Sequence, residues 1–317
     1  MDIKIIINLA ICVTQLLLMM LPGAILRKTN LVSENFGRDI SNMILYVAQP
    51  MLVLTAYIRP YDVSIAKRAG MVLILAILAH LLFALLSLLF FRRTEASKRT
   101  VLRFALIFSN AGYMGIPLIR YTLGEEAVIY ASVYVVVFNL FMWTLGFFMY
   151  SGNRQYISIK NALFNTTTIA TYIGLLIFFF NLYGFFPADG LIYECFVMLK
   201  DLVAPLSMFI IGFRLIDAFK AKHTLDFNLF ACIGLRLLLA PAAVFVLLFL
   251  FYKTGICTDL MSISVVLISA STPAAAATSM LAEKFKGNGI YASMLVSLCT
   301  ILSLVTMPLI ALLLYLF

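Results

Sequence analysis

Ionisable side chains are rare in the apolar runs of this chain, and those that occur there could bind or move charge. Arg236 lies near the middle of one run, and His80 occupies the matching place in another. An arginine at such a position could attract an anionic ligand, or it could hold helices together through a salt bridge or carbonyl contacts. The histidine could couple to protons because its pKa lies near neutrality, or it could be a neutral packing residue. Asp201 is a second coupling candidate. It follows Lys200 directly, and because neighbours point about 100° apart around a helix, the two need different partners.

Two runs contain residues that break helices. The stretch "SNAGYMGIPL" occupies residues 109–118, and "SASTPAAAATSM" occupies residues 269–280. Irregular backbone survives in hydrocarbon only where it lines a cavity or is buried in protein, and half-helix N-termini there attract anions. The alternative is a pair of simple proline kinks. Gln49, beside Pro50, could offer its amide to a carboxylate or make a plain interhelical hydrogen bond. The candidate substrate-binding residues are therefore Asn110, Gly112, Gly115, Pro117, Ser271, Thr272, Pro273, Gln49 and Arg236.

Other reactive residue types give no recognisable catalytic or metal site. The five cysteines lie singly in apolar segments without a CxxC pair, and only two histidines occur, far apart in the chain. No GxxxxGK[ST] loop is present. We therefore predict no enzyme activity, no metal and no cofactor, and any transport must be driven by gradients.

The elements that must position these residues are membrane helices. The chain is 64% hydrophobic and 12% charged, whereas a soluble domain carries about 25% charged residues. A membrane helix needs about 20 apolar residues, and ten candidate segments occur. They span residues 4–26, 38–58, 69–91, 101–121, 126–150, 165–186, 191–215, 226–252, 259–283 and 289–316.

The loop charges predict the orientation. Fifteen Lys and Arg residues lie in the odd-numbered loops and six lie on the opposite side. Positive loops stay in the cytoplasm, so both termini are expected outside a cell membrane, meaning a plasma or inner membrane. The net charge of +9 is explained by this bias, and nucleic acid is not expected as a partner.

Internal similarity predicts that the two halves of the chain are related. "IYAS" occurs at residues 129–132 and again at 290–293, "VAQP" at 47–50 resembles "VAP" at 203–205, and "AHLLFA" at 79–84 resembles "LRLLLA" at 235–240. The offsets are alike and the matches fall in corresponding segments. A repeat of five helices is odd-numbered, so the second copy is inverted, as in many secondary transporters. The expected fold is all-α, with ten helices as two inverted repeats, and the paired breaks in segments 4 and 9 point to a binding site at the midplane.

Several of these motifs resemble the auxin efflux carrier family, which includes plant auxin exporters and bacterial malonate and malate permeases. "NAGYMGIPL" resembles the motif of its fourth helix, and "LVAPLSMFIIGFRL" (202–215) that of its seventh. "STPAAAATSMLAEKF" and "YASMLVSLCTILSLVTMPLI" resemble its last two helices. One departure is the start of the sixth segment, where the family often has Asn-Pro and this chain has Asn165-Thr166.

The resemblance implies a scaffold (residues 1–66 and 157–222) and a mobile transport unit (residues 67–156 and 223–317). It also implies that the broken segments 4 and 9 cross at the midplane, that substrate binds beside this crossing, that movement is elevator-like, and that the substrates are organic anions.

The sequence therefore predicts a secondary transporter of a small mono- or dicarboxylate that works in the lipid bilayer and could form a homodimer. One alternative is a sodium-coupled organic-anion symporter of the related bile-acid-symporter architecture. A second is a membrane sensor that binds such an anion without moving it, and a membrane enzyme is the third.

Overall fold

The computed structural model describes residues 11–12, 14–33, 35–220 and 225–317, and within these ranges every regular element is helical. The predicted start of the first segment at residue 4 lies outside the described residues. We number the main helices α1 to α12 in chain order. Their bounds are Met20–Lys28, Phe36–Tyr57, Val63–Leu89, Ala96–Ile107, Ile116–Leu123, Ala127–Ser151, Arg154–Phe179, Leu191–Ile216, Phe227–Lys253, Leu260–Ser271, Ala277–Lys284 and Gly289–Leu312.

Six of the described helices are long and apolar enough to cross a membrane, namely α2, α3, α6, α7, α8 and α9. A bent pair within 289–316 would make a seventh if it is one span. The chain is thus an all-helical, multi-pass membrane protein. Several predicted boundaries differ from the observed ones, and α7 begins at Arg154 where the sequence predicted residue 165. Helix α3 begins at Val63, ahead of the predicted residue 69, because Asp62 caps it by accepting from the Ser64 N–H at 2.7 Å. The helical part of α7 ends at Phe179, close to Asn181 with its φ of 57°.

The surface of α3 shows how the helices meet lipid. Leu75, Ala79 and Phe83 are completely buried, whereas Leu81, Leu85 and Leu88 are exposed. Each of these sets recurs at helical spacing, so one stripe faces the protein core and the other faces away from it. A buried stripe with an exposed leucine stripe facing away from it is the pattern expected of a helix that faces lipid on one side.

Prolines explain three short stretches of wide helix. The backbone makes π-type turns at Ile44–Ala48, Ala111–Gly115 and Leu235–Leu239, and Pro50, Pro117 and Pro241 each follow two residues later. A proline ring lacks an N–H and clashes with the carbonyl four residues before it, which widens the preceding turn. All three turns involve residues singled out above: Gln49 follows the first, Gly112 and Gly115 lie in the second, and Arg236 lies in the third.

Helices α1 and α8 pack at very short range through two glycines. A Cβ on Gly212 would lie 1.9 Å from the Met20 carbonyl oxygen, and one on Gly23 would lie 2.1 Å from the Phe209 carbonyl oxygen. Only glycine allows the two backbones to approach so closely, as is common between membrane helices.

An ion-pair cluster ties the turn after α5 to the bend inside α8. Arg120 donates to Glu125 and to Asp201, both at 2.7 Å, and Lys200 lies 3.3 Å from Glu125. Lys200 and Asp201 therefore have different partners, as their neighbouring positions on a helix require. We call these four residues the ion-pair cluster.

Candidate functional site

The two predicted breaks exist, and they meet. Helix α4 ends before Phe108 and α10 ends before Thr272. The backbone segments that follow have left their helices, and they pair as a short antiparallel bridge between Ser109 and Ala274. The Asn110 N–H donates to the Pro273 carbonyl at 2.8 Å, and the Ala275 N–H donates to the Phe108 carbonyl at 2.9 Å. Buried backbone groups need partners, and each break supplies them to the other. We call this pairing of residues 108–110 with 273–275 the crossover.

Arg236 is completely buried and binds the carbonyls on which α4 and α10 end. Its guanidinium donates to Leu106 at 3.0 Å, to Thr272 at 3.1 and 3.3 Å, and to Ala270. The last carbonyls of a helix have no partner inside it, so Arg236 satisfies both helix ends at once. Its guanidinium also lies 5.1 Å from the centre of the Phe83 ring. These contacts match the alternative interpretation given above, in which the arginine holds helices together through carbonyl contacts. Arg236 does not line the cavity described next.

A cavity of about 530 Å³ opens beside the crossover. Three buried polar atoms on its wall, Gln49 Oε1, Ser109 Oγ and Asn110 Nδ2, have no hydrogen-bond partner in the described part of the chain. An unpaired buried polar atom is costly, which makes these three atoms the natural contacts for a bound molecule. The other polar side chains on the wall belong to Asn42, Asn139, Asn161, Asn165, Thr166 and Thr167.

Two helical segments begin at the cavity. Gly112 and Tyr113 lie in the first turn after the break of α4, and Ala276 and Ala277 open α11; all four line the wall. N–H groups in a first helical turn lack intrahelical acceptors and form the positive end of the helix dipole. Lys284 is the one charged residue that lines the cavity in the described chain, and no carboxylate lines it. The electrostatics therefore suit an anion.

Aromatic and aliphatic side chains form the rest of the wall. They include Phe138, Trp143, Phe147, Phe164 and Met280. A mostly apolar cleft with a few placed polar groups is the usual form of a small-molecule site. The cavity could thus hold the carbon skeleton of an organic anion as well as its charged group.

Three of the nine predicted binding residues lie on the wall: Gln49, Asn110 and Gly112. A Cβ on Gly112 would lie 3.1 Å from Gln49 Nε2, so this glycine leaves room for the amide. Gly115 instead packs against the other break, since its Cβ would lie 3.4 Å from the Thr272 methyl carbon. Pro117 lies in the first turn of α5. These last two residues shape the break without lining the cavity.

The hydroxyls predicted at the second break bond to their own helix. Ser271 Oγ donates to the Leu267 carbonyl at 2.6 Å, and Thr272 Oγ1 donates to the Ser269 carbonyl at 2.8 Å. Pro273 contributes its carbonyl to the crossover. The structure therefore places all three residues at the crossing point and none on the cavity wall.

The two coupling candidates lie apart from the cavity. His80 is fully buried among aromatic rings, and its Nδ1 lies 2.8 Å from the Ala76 carbonyl, while its Nε2 has no partner in the described chain. Asp201 is 53% exposed and pairs with Arg120. A role in coupling stays a prediction for both, and neither contacts the cavity.

Sequence reasoning missed other residues on the wall. Lys284 is one of the fifteen Lys and Arg residues assigned to the odd-numbered loops, yet it lies in the last turn of α11 and lines the cavity. Asn139 donates to Asn165 at 3.3 Å, and both residues line the cavity. The signal that could have found Ser109 is its position next to Asn110 inside the break.

Comparisons with known proteins cover nearly the whole chain. The family model described as "Membrane transport protein" matches residues 9–172 and 155–311. The chain is also similar to an "Uncharacterized transporter" of Methanothermobacter thermautotrophicus, with 26% identity over 301 residues, which is 94% of this chain and 95% of the relative. The crossover and the cavity both lie within the matched residues.

Proposed function

Because the chain belongs to the membrane transport protein family, that of the auxin efflux carriers, we propose that it is a secondary transporter of a small organic anion, a mono- or dicarboxylate. The observation that carries this proposal is the cavity wall. The unpaired Asn110 Nδ2, a donor, and two helix N-termini meet there, with Lys284 as the charged residue and without a carboxylate among the described lining residues. The anionic group binds beside Asn110, the apolar wall holds the carbon skeleton, and the unpaired Gln49 Oε1, an acceptor, suits a hydroxyl or another donor group of the substrate.

The transport mechanism that fits this arrangement is an elevator. In the proposed architecture, ten helices form two inverted repeats, and segments 4 and 9 cross at the bilayer midplane. Helices α3–α6 and α9–α12 move as one unit against α1, α2, α7 and α8. The cavity extends from Asn110 toward Lys284 and Asn161, whereas the ion-pair cluster joins the two units at the opposite ends of the helices. This supports a state that is open on one side and closed on the other.

Loop charges set the orientation of this open side. The excess of Lys and Arg in the odd-numbered loops places both termini outside a cell membrane, and the cavity then opens to the cytoplasm. Single cysteines introduced at positions 96 and 188 test this. An impermeant thiol reagent on intact cells should label position 188 and spare position 96, and the reverse pattern would refute the orientation.

Counterflow in proteoliposomes tests transport and substrate together. Vesicles loaded with unlabelled malonate, malate or indole-3-acetate should accumulate the labelled form of the transported anion. Asn110→Ala removes one unpaired donor from the cavity and should lower affinity roughly ten-fold or more, the value of a hydrogen bond to a charged group. Gln155→Ala, a change at an exposed position in the first turn of α7, is the matched control. Binding without counterflow would indicate the sensor alternative.

Sodium coupling is tested by the same vesicles. Carboxylates that could help to hold Na⁺ do not line the cavity in the described residues, and Asp201 is engaged with Arg120. We therefore expect equal counterflow in sodium and choline media. A strict sodium requirement would favour the symporter alternative.

A further inference from the structure

Four helix ends meet at the crossover, and their electrical signs differ. Helices α4 and α10 end there, and the turn leading into α5 and the start of α11 begin there. A helix behaves as if it carried about half a positive charge at its N-terminus and half a negative charge at its C-terminus. Two of each would cancel, and the crossover alone would then attract neither anions nor cations strongly.

Arg236 removes this balance because its hydrogen bonds within the described chain go to the negative ends. They are made to the carbonyls of Leu106, Ala270 and Thr272, which close α4 and α10. An arginine keeps its charge at any accessible pH. No Asp or Glu of the described chain lies within salt-bridge distance of Arg236, so a full positive charge faces about one unit of negative helix charge.

We propose that Arg236 determines the charge selectivity of the cavity by neutralising the two negative helix ends at the crossover. The two positive ends, the unpaired Asn110 amide and Lys284 then define the field that a substrate meets. Arg236 is thus a positioning residue that acts through the backbone and does not touch the substrate. This inference rests on the proposed function, since it explains why the same site would accept an anion.

Charged thiol reagents measure this field without any knowledge of the substrate. A cysteine is introduced by Ala277→Cys, at the start of α11 on the cavity wall. The background carries Cys195→Ser, because Cys195 is exposed and the other four cysteines are buried. The probes are a sulfonate-bearing and a trimethylammonium-bearing methanethiosulfonate, and their rates are divided by those for a free thiol in solution.

The quantity compared is the ratio of the normalised sulfonate rate to the normalised ammonium rate. With Arg236 intact, this rate ratio should exceed one at position 277. Arg236→Gln should lower this rate ratio by about ten-fold, the effect of losing one nearby unit charge in a partly polar interior. Arg236→Lys keeps the charge and should change the ratio by less than about two-fold. A merely structural role would change both reagents' access alike and leave the ratio unchanged.

Asn161→Cys, at an exposed position of the cavity wall, is the matched control, and its ratio should not respond to Arg236→Gln. A folded Arg236→Gln variant with an unchanged ratio at position 277 overturns the proposal. If that variant does not fold, two other results overturn the proposal equally. One is that position 277 shows no sulfonate preference with Arg236 present, and the other is that Arg236→Lys loses this preference. These ratios do not depend on transport, so a failed counterflow assay would refute the proposed function and leave this result standing.

Discussion

The ion-pair cluster provides a test of how far buried charge controls stability in this protein. Glu125 forms ion pairs with both Arg120 and Lys200, whereas Asp201 pairs with Arg120 alone among the described residues. Lys200 is 6% exposed, and Glu125 is the acidic partner within reach of it among the described residues. Removing the Glu125 charge by Glu125→Gln leaves that ammonium nearly buried without a counter-charge.

The structure predicts unequal costs for two similar substitutions. Asp201 is 53% exposed and Arg120 keeps Glu125 without it, so Asp201→Asn should cost about 0.5 kcal/mol, as exposed pairs do. Breaking a buried pair costs about 3–5 kcal/mol, and the half-exposed position of Glu125 reduces the expected cost of Glu125→Gln to about 2 kcal/mol. Adding Lys200→Met to Glu125→Gln removes the unpaired charge and should recover about half of that loss.

Reversible unfolding in mixed micelles of mild detergent and dodecyl sulfate, followed by circular dichroism, measures these free energies. Wild type, the two single variants and the Glu125→Gln/Lys200→Met double variant form one series. If Glu125→Gln costs no more than Asp201→Asn, or if Lys200→Met gives no recovery, the buried Lys200 charge does not account for the contribution of this cluster to the free energy of unfolding.

Two further predictions concern packing and pH. Gly212→Ala should destabilise the protein by about 1–3 kcal/mol, because its Cβ would meet the Met20 carbonyl oxygen at 1.9 Å. The control is Gly234→Ala, whose Cβ would meet nothing within 4 Å and which should stabilise the protein by about 0.5–1 kcal/mol. Equal effects of the two substitutions in the same unfolding assay would contradict the packing argument. Asp226 is partly buried, which by itself raises the pKa of its carboxyl, but hydrogen bonds from Lys98, the Leu229 N–H and Tyr291 outweigh this and lower the pKa. A lowered folded-state pKa gives stability that is present above the unfolded value near 4 and is lost as the pH falls through the folded one. Unfolding free energies from pH 7 to pH 3 should therefore decline less in Asp226→Asn, which keeps a helix-capping side chain, and parallel declines would show that Asp226 contributes nothing to acid sensitivity.

Local patterns in the sequence predicted the breaks but not the hydrogen bonds that connect them. Helix breakers near Asn110 and Pro273 are visible in short stretches, because a proline or a run of small residues acts on its own helix. The partners of Arg236 are not, because Leu106 lies 130 residues away and its carbonyl is available only once α4 has ended in the folded chain. The family resemblance predicted the general location of the site. It did not predict Lys284, because the packing of α11 is what brings this residue to the cavity.

The pairing of the two breaks has a consequence for how the protein is made. The Asn110 N–H needs the Pro273 carbonyl, and the bridge joins Ser109 to Ala274, so the partners are synthesised far apart in time. At an elongation rate of roughly 5–20 residues per second, the first break waits at least several seconds in the membrane before the second emerges. During that interval its backbone groups lack their native partners, which is costly in hydrocarbon. Completion of the fold, and with it burial of the nascent first half, therefore depends on translation reaching α10 and α11, and this interval is the stage at which an insertase or chaperone would have most to protect.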